Sequence, residues 1–157
     1  MARSKRRDLK YANDFRDEGF VIEDRFHPPP PLTPKTENQR LYASSIQHNA
    51  ITFGLGPAGS GKSYVATSIA ADMLKSGKVK RLILTRPIVE AGENLGFLPG
   101  TLEEKIAPYI LPIRHILHER IGKVATDNLI RTGRISALPL AYMRGHTFEK
   151  DVFVLFD

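Results

Sequence analysis

Eight consecutive residues carry the clearest chemistry in this sequence. The segment Gly56-Pro57-Ala58-Gly59-Ser60-Gly61-Lys62-Ser63 matches the phosphate-binding pattern G-x-x-x-x-G-K-[ST], called Walker A, at every fixed position. Its glycines let the backbone turn several N–H groups toward one anion, and the positive end of a following helix favours the same anion. The pattern predicts a nucleotide phosphate site in which Lys62 reaches the outer phosphates and the Ser63 hydroxyl holds Mg²⁺.

A carboxylate at the other end of the sequence fits the same chemistry. Residues 152–156 form an apolar run that leads into Asp157, as in a Walker B strand, whose terminal carboxylate binds magnesium through water. An Asp at the end of a buried strand can instead be a simple turn residue. Because a Walker A motif precedes it, we interpret Asp157 as a magnesium ligand and, with Lys62, as a candidate catalytic residue.

The residues around these motifs predict alternating strands and helices. Residues 50–53 read as a buried strand and residues 65–74 have helical spacing, so the glycine loop lies between a strand and a helix. A short helix is predicted before them at about residues 36–48. Further elements are predicted at residues 79–84, 106–121, 125–131, 138–142 and 152–156. This alternation predicts an α/β fold with a mostly parallel sheet covered by helices.

Two prolines interrupt the longest predicted helix. Its apolar stripe includes Ile113, Leu117 and Ile121, but Pro108 and Pro112 lie within the same stretch. Because proline removes a backbone donor and clashes with the preceding turn, we expect this helix to break early.

Residues 1–35 have a different composition from the remainder and are predicted to form an arm outside the domain of residues 36–157. Five basic residues near its start are typical of a solvated tail, although a nucleic-acid arm stays open. The run of prolines at residues 28–31 favours an extended, stiff spacer rather than a ligand for a proline-reading domain.

Length and composition exclude several classes of protein. The 157 residues, 41% of them hydrophobic and 25% charged, suit one domain with a real core rather than a wholly disordered chain. No long apolar run or export signal is present, so we expect a soluble cytoplasmic protein without a membrane partner. The absence of cysteine excludes disulfides, zinc–thiolate sites and cysteine nucleophiles. The net charge of +6 leaves polynucleotide binding open.

Longer runs of residues resemble the PhoH family of bacterial and phage P-loop ATPases. The runs are Thr36-Glu37-Asn38-Gln39, residues 54–63, 84–100, 104–105, 108–109 and 139–145. The resemblance covers about residues 34–157 and implies an ATP-binding protein with a helicase-like core, associated with phosphate starvation. It implies that Gly56 to Ser63 bind the phosphates and that Ser63 and Asp157 bind Mg²⁺. The resemblance also implies binding to RNA or single-stranded nucleic acid. It further implies that the full-length form assembles as a ring of identical subunits.

Three groups of residues keep two interpretations each. Gln39 fits a helix-capping box with Thr36, but it also resembles the helicase residue that reads the adenine edge. Arg86, with Glu90 and Glu93, follows a predicted strand at the edge where open α/β sheets bind ligands, yet structural ion pairs are equally expected. His115 and His118 are three residues apart, and without a third ligand they favour a surface pair over a metal site.

Two features depart from the family pattern. His146 follows Arg144 and Gly145 where the family usually has a further arginine, which weakens one basic contact or makes it pH-dependent. The family also continues after the last Asp into Glu-Ala-Gln-Asn, where the Glu is expected to polarise the attacking water. Since the sequence stops at Asp157, we expect ATP binding without hydrolysis, and a gap in the sheet where the next strand would insert.

These observations leave a leading function and two alternatives. A PhoH-type ATPase that couples hydrolysis to RNA or protein remodelling is the first hypothesis, with the sequence interpreted as a truncated piece of a longer ATPase. A non-hydrolysing nucleotide-binding regulatory or interaction protein, naturally short, is the second. A small-molecule kinase is the third, because Walker A motifs serve those enzymes as well.

Overall fold

The structure, a computed structural model, describes residues 29–87 and 102–157. Its helices and strands are α1 (Glu37–His48), α2 (Lys62–Lys75), β1 (Arg81–Arg86), α3 (Leu102–Ile121), α4 (Lys123–Arg131), β2 (Ile135–Pro139) and β3 (Val152–Phe156). A short 3-10 helix, Leu140–Met143, follows β2. The basic N-terminal cluster, Glu90 and Glu93 lie outside the described residues.

The three strands form one parallel sheet with the order β2-β1-β3. In its register, Leu82 lies beside Ile135 on one side and beside Phe153 on the other. Parallel neighbours need long crossover connections, which α3 and α4 provide between β1 and β2. The structure therefore confirms the predicted α/β fold with a parallel sheet and flanking helices.

The core lies between one face of this sheet and helices α2 and α3. Leu82 and Leu84 of β1 contact it from the sheet, and Ala70 and Leu117 from the helices are completely buried. Alternate residues of a strand point to opposite faces, so Val154 and Phe156 of β3 lie on the face away from this core. Both side chains are exposed, Phe156 by 56%.

Helix α3 does not break at its prolines, and that prediction was wrong. It runs without interruption from Leu102 to Ile121, past Pro108 and Pro112. The buried side chains of Ile113, Leu117 and Ile121 hold its second half against the core. Burial of such a face outweighs the lost hydrogen bond, because tertiary packing routinely overrides local propensity.

The predicted strand at residues 50–53 is not formed in the structure. This stretch is irregular, and Ile51, Phe53 and Leu55 are 75%, 84% and 94% exposed. A strand is stabilised by ladder hydrogen bonds to a neighbour, and no described strand pairs with this segment. We call residues 50–55 the unpaired segment. Predicted strands 79–84 and 138–142 do form, displaced to β1 and β2.

The last residues of the predicted arm pack onto the helices. The buried guanidinium of Arg120 donates to the Pro30 carbonyl oxygen at 2.8 Å and to both carboxylate oxygens of Asp72 at 2.9 and 2.7 Å. Leu32 packs against a small cluster formed by Val65 and Ile69 of α2 with Ala43. Residues 29–32 are therefore attached to the domain, while the division of the chain at residue 35 stays a prediction.

Candidate functional site

Glycine geometry shapes the loop between the unpaired segment and α2. Gly59 and Gly61 have φ angles of +76° and +86°, in the left-handed region that residues with a Cβ rarely adopt. Gly61 is also the N-cap of α2, which begins at Lys62 as the sequence predicts. In the described part of the chain, no backbone oxygen accepts from the N–H groups of Gly61, Lys62 or Ser63. These donors and the positive end of the helix are the groups that could hold an anion.

Lys62 folds back over the loop that precedes it. Its Nζ atom donates to the carbonyl oxygens of Gly56 at 2.9 Å and Pro57 at 2.8 Å, and it lies 3.4 Å from the Ser60 hydroxyl. The ammonium group therefore lies at the mouth of the loop, where a bound phosphate would replace these carbonyl partners with stronger, charge-assisted ones.

The two ends of the predicted site meet in the structure. The Ser63 hydroxyl donates a hydrogen bond to the carboxylate of Asp157, 94 residues later in the chain. The strand holds Asp157 in place, because its backbone N–H donates to the Thr85 carbonyl oxygen at 3.1 Å and so extends the β1–β3 ladder by one bond. A parallel sheet thus brings the carboxyl end of β3 to the first turn of α2.

This pair of oxygen donors suits magnesium. A hydroxyl and a carboxylate are hard ligands of the kind that Mg²⁺ prefers, and Mg²⁺ usually takes only one or two protein ligands beside water and phosphate oxygens. Among the described residues, no group of three His, Asp or Glu side chains could hold a metal on its own. The Ser63 hydroxyl and the Asp157 carboxylate could therefore hold Mg²⁺ only together with other ligands, such as water or phosphate oxygens.

Gln39 connects α1 to the glycine loop. Its backbone N–H donates to the Thr36 hydroxyl at 3.2 Å, the capping contact that the sequence suggests. Its side-chain oxygen accepts from the Lys35 N–H at 2.7 Å, and its side-chain nitrogen donates to the Ser60 carbonyl oxygen at 3.0 Å. The capping interpretation is thus partly realised, and adenine recognition stays a prediction.

Tyr42 lies near Gly54 and Asp157, and the sequence did not indicate it as a site residue. A Cβ atom at Gly54 would lie 2.8 Å from its ring, so only glycine fits there without moving the ring. Burial raises the pKa of the Tyr42 hydroxyl above its ordinary value, and the nearby charge of Asp157 raises it further. The available signal was its position three residues after Gln39, which places both side chains on one face of α1.

Two of the remaining candidates, His118 and His146, have neighbours other than the loop residues. His118 is 3.4 Å from the carboxylate of Asp127, which also accepts a 2.7 Å hydrogen bond from Arg114. That bond from Arg114 is the main reason why the pKa of Asp127 is lowered. His146 stacks on Phe148 with ring centres 6.1 Å apart. No described helix is long and apolar enough to cross a membrane.

Comparison with known proteins gives a consistent match. A family model described as "PhoH-like protein" matches residues 31–157. The chain is 50% identical over 123 residues to the PhoH-like protein of Bacillus subtilis, covering 78% of this chain and 38% of that protein. It is 49% identical over 126 residues to the PhoH-like protein of Mycobacterium tuberculosis, covering 80% and 36%.

A more distant relative shows the same partial coverage. Protein PhoH of Escherichia coli is 39% identical over 127 residues, which cover 80% of this chain and 36% of that protein. The chain therefore spans between 36% and 38% of the length of these three relatives.

Proposed function

The chain belongs to the PhoH family, whose members are generally P-loop ATPases, and on this premise we propose that it binds ATP together with Mg²⁺. The observation that carries the proposal is the hydrogen bond between Ser63 of the loop and Asp157 at the end of β3. Chance agreement of a glycine-rich turn with the Walker pattern would not bring a carboxylate to the serine of that turn.

Each residue has a separate task in this proposal. The backbone N–H groups of Ala58, Gly59, Ser60 and Gly61 belong to the loop that surrounds the β-phosphate. Gly56 and Pro57 begin this loop, and Pro57 has no N–H to offer. Lys62 leaves the carbonyl oxygens of Gly56 and Pro57 and pairs with the outer phosphates. Ser63 and Asp157 hold magnesium, which supplies positive charge to the phosphate oxygens when bound.

The finer activities are proposals for the whole protein, because the chain spans less than two fifths of its relatives. We propose that the whole protein hydrolyses ATP in the cytoplasm and couples this to RNA or protein remodelling, as a ring of identical subunits. The family assignment and the excess of 23 basic over 17 acidic residues support this. Positioning and charge stabilisation by Lys62 and Asp157 supply the catalysis.

One observation favours a second function, nucleotide binding without turnover. Within the described residues, Asp157 is the one carboxylate that hydrogen-bonds to residues 56–63. Since that carboxylate serves magnesium in the proposal, no described residue that hydrogen-bonds to this loop supplies a second carboxylate to orient the attacking water. A nucleotide-binding regulatory role is therefore the alternative for residues 36–157.

Calorimetric titration with Mg-ATP tests the binding proposal. The chain is expected to bind Mg-ATP, and Lys62→Ala to weaken binding at least tenfold, since a charge-assisted pair contributes about 1.5–3 kcal/mol. Lys78→Ala removes the same charge from an exposed position and is the matched control. Equal affinity of Lys62→Ala and Lys78→Ala would refute the assignment. Phosphate release above the Lys62→Ala background separates the enzyme from the binder.

A further inference from the structure

The carboxamide of Gln39 is held at both of its ends. Its oxygen accepts the Lys35 N–H at 2.7 Å, just before α1, and its nitrogen donates to the Ser60 carbonyl oxygen at 3.0 Å, inside the glycine loop. The side chain therefore forms a bridge across 21 residues of sequence. A cap for α1 alone would need no contact with the loop.

This bridge fixes the orientation of one peptide group. No peptide bond in the described chain is cis, and in a trans peptide the C=O and N–H groups point in opposite directions. When Gln39 holds the Ser60 carbonyl oxygen, the N–H of Gly61 in the same peptide points away from Gln39. That N–H is one of the loop donors without an acceptor in the described residues.

The Gln39 side chain also limits which residue can occupy position 61. A Cβ atom at this position would lie 2.9 Å from the Gln39 side-chain nitrogen, and the φ angle of +86° already disfavours any other residue. The Gln39 amide therefore occupies the space beside Gly61 that a side chain at this position would need.

We propose that Gln39 is a positioning residue for the phosphate loop: by holding the Ser60 carbonyl, it keeps the Gly61 N–H directed at the bound phosphate. This inference rests on the proposed ATP binding and differs from both sequence interpretations of Gln39, as a cap and as an adenine reader. A positioning residue acts on every ligand that carries the phosphate chain. A base reader acts only on ligands that carry adenine.

The test compares a ligand with a base and a ligand without one. Gln39→Met preserves the length of the side chain and removes both hydrogen bonds at a half-exposed position. We expect it to weaken Mg-ATP and Mg-tripolyphosphate by the same factor, roughly three- to tenfold, measured by displacement of a fluorescent ATP analogue.

Two further variants separate positioning from stability. Thr36→Val removes the cap of α1 but leaves the Ser60 contact, so it is expected to lower the melting temperature while both affinities stay unchanged. Gln39→Glu keeps the acceptor for the Lys35 N–H but cannot donate to Ser60. It is expected to weaken both ligands at least as much as Gln39→Met, because its charge also repels phosphate.

The failures of the two proposals are distinguishable. If the unaltered chain binds neither ligand, the proposed function fails and the inference fails with it. If the unaltered chain binds both and the Gln39 variants bind both equally well, only the inference is overturned. Loss of Mg-ATP alone, with Mg-tripolyphosphate unchanged, would make Gln39 a base reader and also overturn the inference.

Discussion

The unpaired segment and β3 are both rich in apolar residues, but only β3 forms a strand. Both precede a predicted site residue, since residues 50–55 lead into Gly56 and β3 leads into Asp157. β3 pairs with β1 over five residue positions, from Arg81 beside Val152 to Thr85 beside Phe156. The unpaired segment has no such neighbour among the described strands.

This difference shows that apolar composition makes a strand possible but a partner makes it form. Backbone N–H and C=O groups that have no neighbouring strand form hydrogen bonds with water instead. The side chains of that segment then remain exposed as well. β3 itself is intermediate, because one of its edges pairs with β1 while no described strand pairs with the other edge. Leu155 is buried on the core face, whereas Phe156 is largely exposed.

The largest expected effect is on the free energy of unfolding, and it comes from comparing a leucine of the paired strand β1 with a leucine of the unpaired segment. Leu84 of β1 is 2% exposed and Leu55 of the unpaired segment is 94% exposed. Leu84→Ala is expected to lower the free energy of unfolding by about 2–5 kcal/mol, because it leaves a cavity in the core. Leu55→Ala is expected to change it by less than about 0.5 kcal/mol.

Urea unfolding followed by circular dichroism measures both values. The two substitutions delete the same atoms, so each serves as the control for the other. A loss of 2 kcal/mol or so at Leu55, comparable with large-to-small core substitutions, would mean that the segment is packed and that the contrast between the two regions is false.

A smaller effect is expected at the contact between the unpaired segment and α1. Gly54→Ala brings a methyl group against the Tyr42 ring, at a distance of 2.8 Å if nothing moves. Because the contact is with the far end of a side chain, the ring can shift, and we expect a destabilisation of about 1 kcal/mol. Tyr42→Ala in the same chain should remove most of that cost.

A double-mutant cycle measures this coupling. The sum of the two single effects should exceed the effect of the double variant by roughly 0.5–1 kcal/mol. Additive effects would show that Tyr42 and Gly54 are not in contact in solution, and the segment would then lack its link to the site.

The smallest expected effect on stability comes from making the unpaired segment polar. Phe53→Ser with Leu55→Ser changes two side chains that are almost fully exposed, so the free energy of unfolding should change by less than about 0.5 kcal/mol. Exposed apolar side chains favour association between molecules. Sedimentation velocity should therefore show that the double variant self-associates less than the parent chain. Val124 is exposed on α4, so the Val124→Ser control should self-associate as much as the parent chain.

The sequence was sufficient for the parts of the fold that depend on local chemistry. The glycine pattern located the loop and the start of α2 at Lys62, and alternating patterns gave the α/β class. Ser63 and Asp157 come together because α2 packs on the sheet with its first turn at the carboxyl end of β3, and the order of motifs along the chain already indicated this. Their roles as magnesium ligands stay predictions.

The parts that failed depend on contacts between distant residues. The apolar pattern of residues 50–53 was real, but no local signal tells whether a neighbouring strand is present. Pro112 breaks an isolated helix, yet the packed face of α3 holds it in place. The contacts of Gln39 with Ser60 and of Tyr42 with Gly54 join α1 to segments more than ten positions later, and a single sequence does not reveal such pairs.

Backbone hydrogen exchange with and without Mg-ATP tests the account most directly. We expect residues 56–65 to exchange more slowly when Mg-ATP is present, because their N–H groups gain phosphate acceptors or a firmer helix start. β1 should exchange slowly in both conditions, and residues 50–55 rapidly in both. Unchanged exchange at residues 56–65 under saturating Mg-ATP would contradict the assignment of this loop as the nucleotide site.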